Sequence, residues 1–157
     1  MRIIKGIAAT LLMSALCGSA FALTASQTVQ KEVEITKADG TTEISYAPAD
    51  LVAPGERIVY ALNIENDGVQ PATDLVLTMP VPDEIKYMEG SARKTGAVVT
   101  YSADNGQSFA ARDSVTVVEG LVSRVAQSED ITHIRWKLAG PINAGEVDTL
   151  VFKGILK

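Results

Sequence analysis

One histidine and one tryptophan sit three residues apart in the stretch Ile131-Thr132-His133-Ile134-Arg135-Trp136-Lys137-Leu138. His133 is the single imidazole available for general-base work. In a Ser-His-Asp hydrolase it would have to lie between a nucleophile and an orienting carboxylate. No G-x-S-x-G elbow accompanies it, and a histidine on an exposed strand face is the expected reading. Asp104-Asn105-Gly106 resembles part of a calcium loop. The full D-x-[DN]-x-[DN]-G spacing is missing, and a hairpin turn accounts for the same residues. Asp83-Glu84 and Glu129-Asp130 read as solvated loop charges. A two-carboxylate glycosidase would need paired acids in a sugar-lined cleft, and aromatic residues make up only 5% of the chain. Zinc normally takes several Cys or His ligands, whereas the chain has one His and one Cys, Cys17. The expectation is a non-enzyme with no catalytic, metal or cofactor-binding residues.

Strand periodicity supplies the frame for these residues. Thr132, Ile134, Trp136 and Leu138 alternate with His133, Arg135 and Lys137. A period of two sends Trp136 inward as a core anchor and His133 outward. The same period marks Val29 to Ile35 as a half-buried strand with charge on its outer face. It recurs at Ile44 and Tyr46, at Ile58-Tyr60-Leu62-Ile64 and at Leu75-Leu77-Met79. Extended pieces follow at 85–88 and 97–102, and a closing strand runs from Val147 to Ile155 with Leu150 and Phe152 on one face. Ser108-Phe109 begins the return from the Asp104 turn. Val115, Val117 and Val118 suggest a strand, and Leu121 to Gln127 reads either as a strand or as one helical turn. Turns are signalled by Asp39-Gly40, Ala53-Pro54-Gly55-Glu56, Asn66-Asp67-Gly68, Gly140-Pro141 and Ala144-Gly145. Pro80 and Pro82 end a strand because proline cannot donate to a ladder. Many short strands between turn signals predict an all-β fold, an immunoglobulin-like antiparallel two-sheet β-sandwich.

The 157 residues fit one domain preceded by a leader. Arg2 and Lys5 form a positive n-region, Gly6 to Leu16 an apolar run too short to span a bilayer, and Ala20-Phe21-Ala22 a cleavage site. Residues 1–22 are expected to be a cleaved signal peptide and 23–157 a single β-sandwich domain, with 23–28 a loose terminus. Ser14-Ala15-Leu16 before Cys17 departs from a lipobox, so Cys17 should be removed with the leader. The domain must then be held by its core without disulfides. It keeps 12 basic and 19 acidic residues, a net charge of −7. That charge argues against nucleic acid and anionic membrane as partners. The expected location is exported, periplasmic or extracellular, with another envelope or secreted protein as partner. An alternating strand near a mature terminus also raises a fibre or pilus-like subunit, assembling by donating its N-terminal strand.

The order of features resembles a known family. Pro54-Gly55-Glu56 precedes Tyr60-x-Leu62-x-Ile64-x-Asn66, followed by Ala72-Thr73-Asp74-Leu75, Pro80-Val81-Pro82 and Tyr87-Met88-Glu89-Gly90-Ser91-Ala92. Tyr101-Ser102-Ala103-Asp104-Asn105-Gly106-Gln107-Ser108-Phe109, the Ile131–Leu138 strand, Ala144-Gly145 and Val151-x-x-Gly154 come next. Over roughly residues 45–157 this resembles the conserved bacterial surface repeat usually called domain of unknown function eleven. The resemblance implies an immunoglobulin-like sandwich on a secreted or surface protein, here as a single copy. It carries no catalytic or binding residues across.

Overall fold

The computed structural model describes residues 22–157 and the backbone pairing of Arg2–Ile3. The apolar run from Gly6 to Leu16, expected to be part of a signal peptide, and Cys17 lie outside the described residues. The chain is all-β with antiparallel sheets. Two-residue strands β1 (Arg2–Ile3) and β4 (Leu51–Val52) pair with each other. A five-stranded sheet contains β2 (Leu23–Thr36), β3 (Thr42–Pro48), β5 (Arg57–Asn66), β7 (Ile85–Tyr87) and β12 (Val147–Leu156), in the order β3-β2-β5-β12-β7. A three-stranded sheet contains β6 (Val76–Pro80), β8 (Ala97–Ser102) and β11 (His133–Leu138), with β11 in the middle. The remaining strands, β9 (Thr116–Glu119) and β10 (Val122–Val125), form a hairpin.

Alternation decides what each strand buries. Ile58, Tyr60, Leu62 and Ile64 of β5 are buried, as are Leu150, Phe152 and Leu156 of β12. Tyr60 and Phe152 stand opposite each other in the ladder and stack at 4.8 Å. Burial pushes the Tyr60 phenol up to about 12. From the three-stranded sheet come Met79, Tyr101, Ile134, Trp136 and Leu138, and both sheets feed one hydrophobic cluster. Trp136 is fully buried, and its indole N–H donates to the carbonyl of Ala92 at 2.8 Å. The inward–outward assignment holds along 134–138, with Ile134, Trp136 and Leu138 buried, Arg135 half-buried and Lys137 exposed, whereas Thr132, assigned inward, is as half-buried as His133.

Two backbone positions require their residue. A Cβ on Gly154 would sit 2.1 Å from Ile85 Cγ2 and 2.9 Å from the Lys86 carbonyl oxygen, so only glycine lets β12 and β7 pair there. Asn66 is fully buried at the end of β5. Its amide donates to the carbonyls of Gln70 and Ile142, both at 2.8 Å, and its side-chain oxygen accepts from Gly68 N–H at 3.0 Å. One side chain thus ties the 67–75 loop to the turn before β12.

The structure corrects three expectations and decides a fourth. Residues 23–28 are not a loose terminus: they extend β2 and pair with β5 in register, Leu23 opposite Asn66 through Thr28 opposite Ala61. Their polar side chains are mostly exposed, so no hydrophobic period announced the strand. Nor is 29–36 half-buried throughout, since only Lys31, Glu32 and Val33 are partly covered. Ser108-Phe109 does not begin a return strand, and the chain pairs back through a single bridge between Tyr101 and Ala110. Of the two readings of Leu121 to Gln127, strand or helical turn, the strand is found: the Gly120 turn (φ 65°) folds β10 back on β9 as a hairpin.

Candidate functional site

The chemistry-bearing residues singled out in the sequence gather at one end of the three-stranded sheet. β8 ends at Ser102, directly opposite His133, where β11 begins. The 103–109 loop then folds around Asp104. Its carboxylate accepts from Ser102 Oγ and Ser108 Oγ, both at 2.6 Å, and from the N–H groups of Gln107 and Ser108 at 3.0 Å. Ser102 Oγ also accepts from Gly106 N–H at 2.9 Å. The Ser102 hydroxyl first, then Ser108, holds the Asp104 carboxyl well below the usual carboxylate range. Asn105 (φ 58°) and Gly106 (φ 81°) supply the left-handed backbone that the tight loop needs. Oδ1 of Asp104 takes three of these bonds and Oδ2 one, all of them building this turn.

His133 lies beside the turn, its ring 3.5 Å from where a Cβ on Gly106 would sit. Nδ1 is 3.2 Å from Thr132 Oγ1. Burial lowers its pKa, the Arg135 charge adds to that, and Asp104 opposes both, leaving a net fall. The three residue types of a hydrolase triad are therefore neighbours without forming its relay. Asp104 is engaged by serines, His133 by a threonine, and Ser102 is the donor to Asp104. Arg135 stacks its guanidinium 3.4 Å above the Phe109 ring and donates to Thr78 Oγ1 at 3.2 Å.

The remaining acids are held apart from one another. Glu129 pairs with Lys86 and Asp130 with Arg124. Asp83 and Glu84 meet Lys157 through their backbone carbonyls. Among the described residues, no group of three or more His, Asp or Glu side chains converges.

Two features go beyond what the sequence shows. The first is a shallow depression of about 420 Å³ lined by Glu89, Gly90, Arg93, Tyr101 and Arg112. Its floor is a bidentate pair, with Arg112 Nε and Nη2 on the Glu89 carboxylate at 2.6–3.1 Å. Burial alone would raise the Glu89 carboxyl, but hydrogen bonds from Arg112 and Ser128 lower it. Arg112 also donates to the Ala126 carbonyl at 2.9 Å, so the pair clamps the base of the β9–β10 hairpin rather than awaiting a ligand. Glu89 and Arg112 are 23 residues apart, and nothing in either local sequence signals the pairing.

The second feature is the hairpin itself. Arg124 bridges Glu119 at 2.5 Å and Asp130 at 2.6 Å, fixing one face of the hairpin to the body. Val118, Leu121, Val122 and Val125 remain exposed, and Leu121 at the tip is completely so. Alternating valines identified β9 as a strand, but alternation alone does not reveal that nothing covers it. No protein-family model, curated protein or solved structure matches the chain.

Proposed function

We propose that this chain is an exported, non-catalytic module with an immunoglobulin-like sandwich fold, acting as a structural or protein-binding unit at or outside the cell envelope. One observation carries the binding role: an ion-paired hairpin presents Val118, Leu121 and Val122 to solvent at its tip. Apolar side chains exposed at the tip of a hairpin are suited to insertion into a partner's pocket. The engagement of Asp104, Ser102 and His133 in turn-building favours a scaffold over a hydrolase. Two antiparallel sheets sharing one core around Trp136 are compatible with the sandwich. The likeness in feature order to domain of unknown function eleven agrees with a surface or envelope role.

Crosslinking in the native host, followed by identification of the attached envelope and secreted proteins, tests the reading. Leu121→Glu should abolish capture of the partner and leave the melting temperature unchanged. Capture that is indifferent to Leu121→Glu would remove the hairpin from the proposal. Turnover of an ester, peptide or glycoside that disappears in His133→Ala would overturn the non-catalytic reading.

A further inference from the structure

The two edges of the five-stranded sheet are built differently. β7 is three residues long, and such a short strand offers little to pair with. The opposite edge has two parts. β3 covers β2 from Gln30 to Thr36, and its ladder stops at Pro48 opposite Gln30. From Leu23 to Val29, β2 is paired with β5 on one side, and no described residue pairs with the other. In an antiparallel strand alternate residues turn both N–H and C=O to the same side. Alternate residues of this stretch therefore turn outward backbone groups that no described residue pairs. The side chains from Thr24 to Gln30 are all exposed.

Sheet edges are normally guarded by charge, proline or a bulge. Elsewhere on this side the edge strand β3 follows the rule, carrying Glu43 and ending at Pro48. Leu23 to Gln30 reads L-T-A-S-Q-T-V-Q, with no charge, proline or glycine. In a domain of net charge −7, this is a stretch where two copies can bring backbones together without like charges meeting.

We infer that Leu23–Val29 is a self-pairing edge whose occupant is the same stretch of a second copy, antiparallel about a two-fold axis at Ser26. The inference rests on the reading of the chain as a binding module and names one edge and one partner. The register puts Leu23 opposite Val29, Thr24 opposite Thr28, Ala25 opposite Gln27, and Ser26 opposite itself. Opposed residues share a face of the sheet. Val29 is the ladder partner of Tyr60 and is 38% exposed, so Leu23 and Val29 meet on the core side. Thr24, Ser26 and Thr28 meet on the other face, where Thr–Thr pairs are favourable. The window is bounded by the start of β2 and by Pro48. An isologous contact of this kind closes at two copies rather than growing into a fibre.

Sedimentation equilibrium on the full chain, purified after export with its N-terminus determined by mass spectrometry, tests this. The wild type should show a concentration-dependent dimer in the micromolar range. Ser26→Lys and Ser26→Glu each place like charges opposite one another and should weaken the dimer at least tenfold. An equimolar mixture of the two should restore it. Ser26 is exposed, so both variants should melt as the wild type does, which separates lost pairing from lost folding. A wild type that stays monomeric, a dimer insensitive to Ser26→Lys, or a mixture that fails to associate would each overturn the inference. Partner capture through Leu121 would survive any of those results, so the two proposals fail independently.

Discussion

Replacing Asn66 with alanine should cost the domain about 2–4 kcal/mol. The magnitude follows from what the side chain holds. Asn66 is fully buried and makes three hydrogen bonds, to the carbonyls of Gln70 and Ile142 and from Gly68 N–H. A buried group left without a partner costs about 1–3 kcal/mol, and a bond that water can replace about 1 kcal/mol or less. Gln70 is exposed and Gly68 half-exposed, so water can reach those two groups. The Ile142 carbonyl is enclosed but keeps its bond from Ala72 N–H, so the cost is that of three lost hydrogen bonds at about 0.5–1.5 kcal/mol each rather than of one orphaned group. Asn66→Asp adds a pH signature. Its carboxylate would face two carbonyl oxygens in a buried site, so its folded pKa must lie above its unfolded one. The variant should approach wild-type stability in acid and lose stability as pH rises through the carboxylate range. Urea melts measure both effects. With a slope of about 1–3 kcal/mol/M, the alanine variant should unfold about 1–2 M earlier in urea. Asn63→Ala removes a surface contact to Thr149 Oγ1 and should change stability by no more than about 0.5 kcal/mol. An Asn66→Ala cost below about 0.5 kcal/mol, or an Asn66→Asp stability flat across pH, would refute the idea that this amide closes the loop end.

Two further outcomes follow from the same geometry. Trp136→Ala should cost about 3–5 kcal/mol in denaturant melts, whereas Trp136→Phe should cost less and should isolate the orphaned Ala92 carbonyl, worth about 1–3 kcal/mol. His133 should titrate by NMR below its ordinary value. The unfolded chain then binds the proton more tightly than the folded one, so the His133 contribution is present above the unfolded pKa and lost as pH falls through the folded pKa. His133→Gln should flatten that part of the stability profile.

Strand identity was readable wherever one face is buried. β5, β11 and β12 place Ile, Leu, Tyr, Phe and Trp on every second residue, because a pleated strand hides one face only. Turns were readable at Asp39-Gly40 and Asn105-Gly106, where positive φ selects glycine or asparagine. The N-terminal half of β2 was not readable. Its stability comes from backbone pairing to β5, and ladder hydrogen bonds leave no mark on polar side chains. The candidate site was half legible: His133, Asp104 and Trp136 stood out by type. Whether they formed a relay depended on which hydroxyl each one met.

Composition and periodicity alone therefore determine that the chain is all-β and that Trp136 faces inward, since both depend on local alternation and on the chain's own apolar residues. Tertiary structure decides everything that needs two distant segments. It sets Glu89 against Arg112, ties Asn66 to Ile142, and brings β12 so close to β7 that residue 154 must be glycine. It also decides which apolar residues stay uncovered. Val117 and Val118 are adjacent and chemically identical, yet one packs against the core and the other faces solvent. Alternation separates the two faces of a strand, and what lies opposite each face decides how far it is covered.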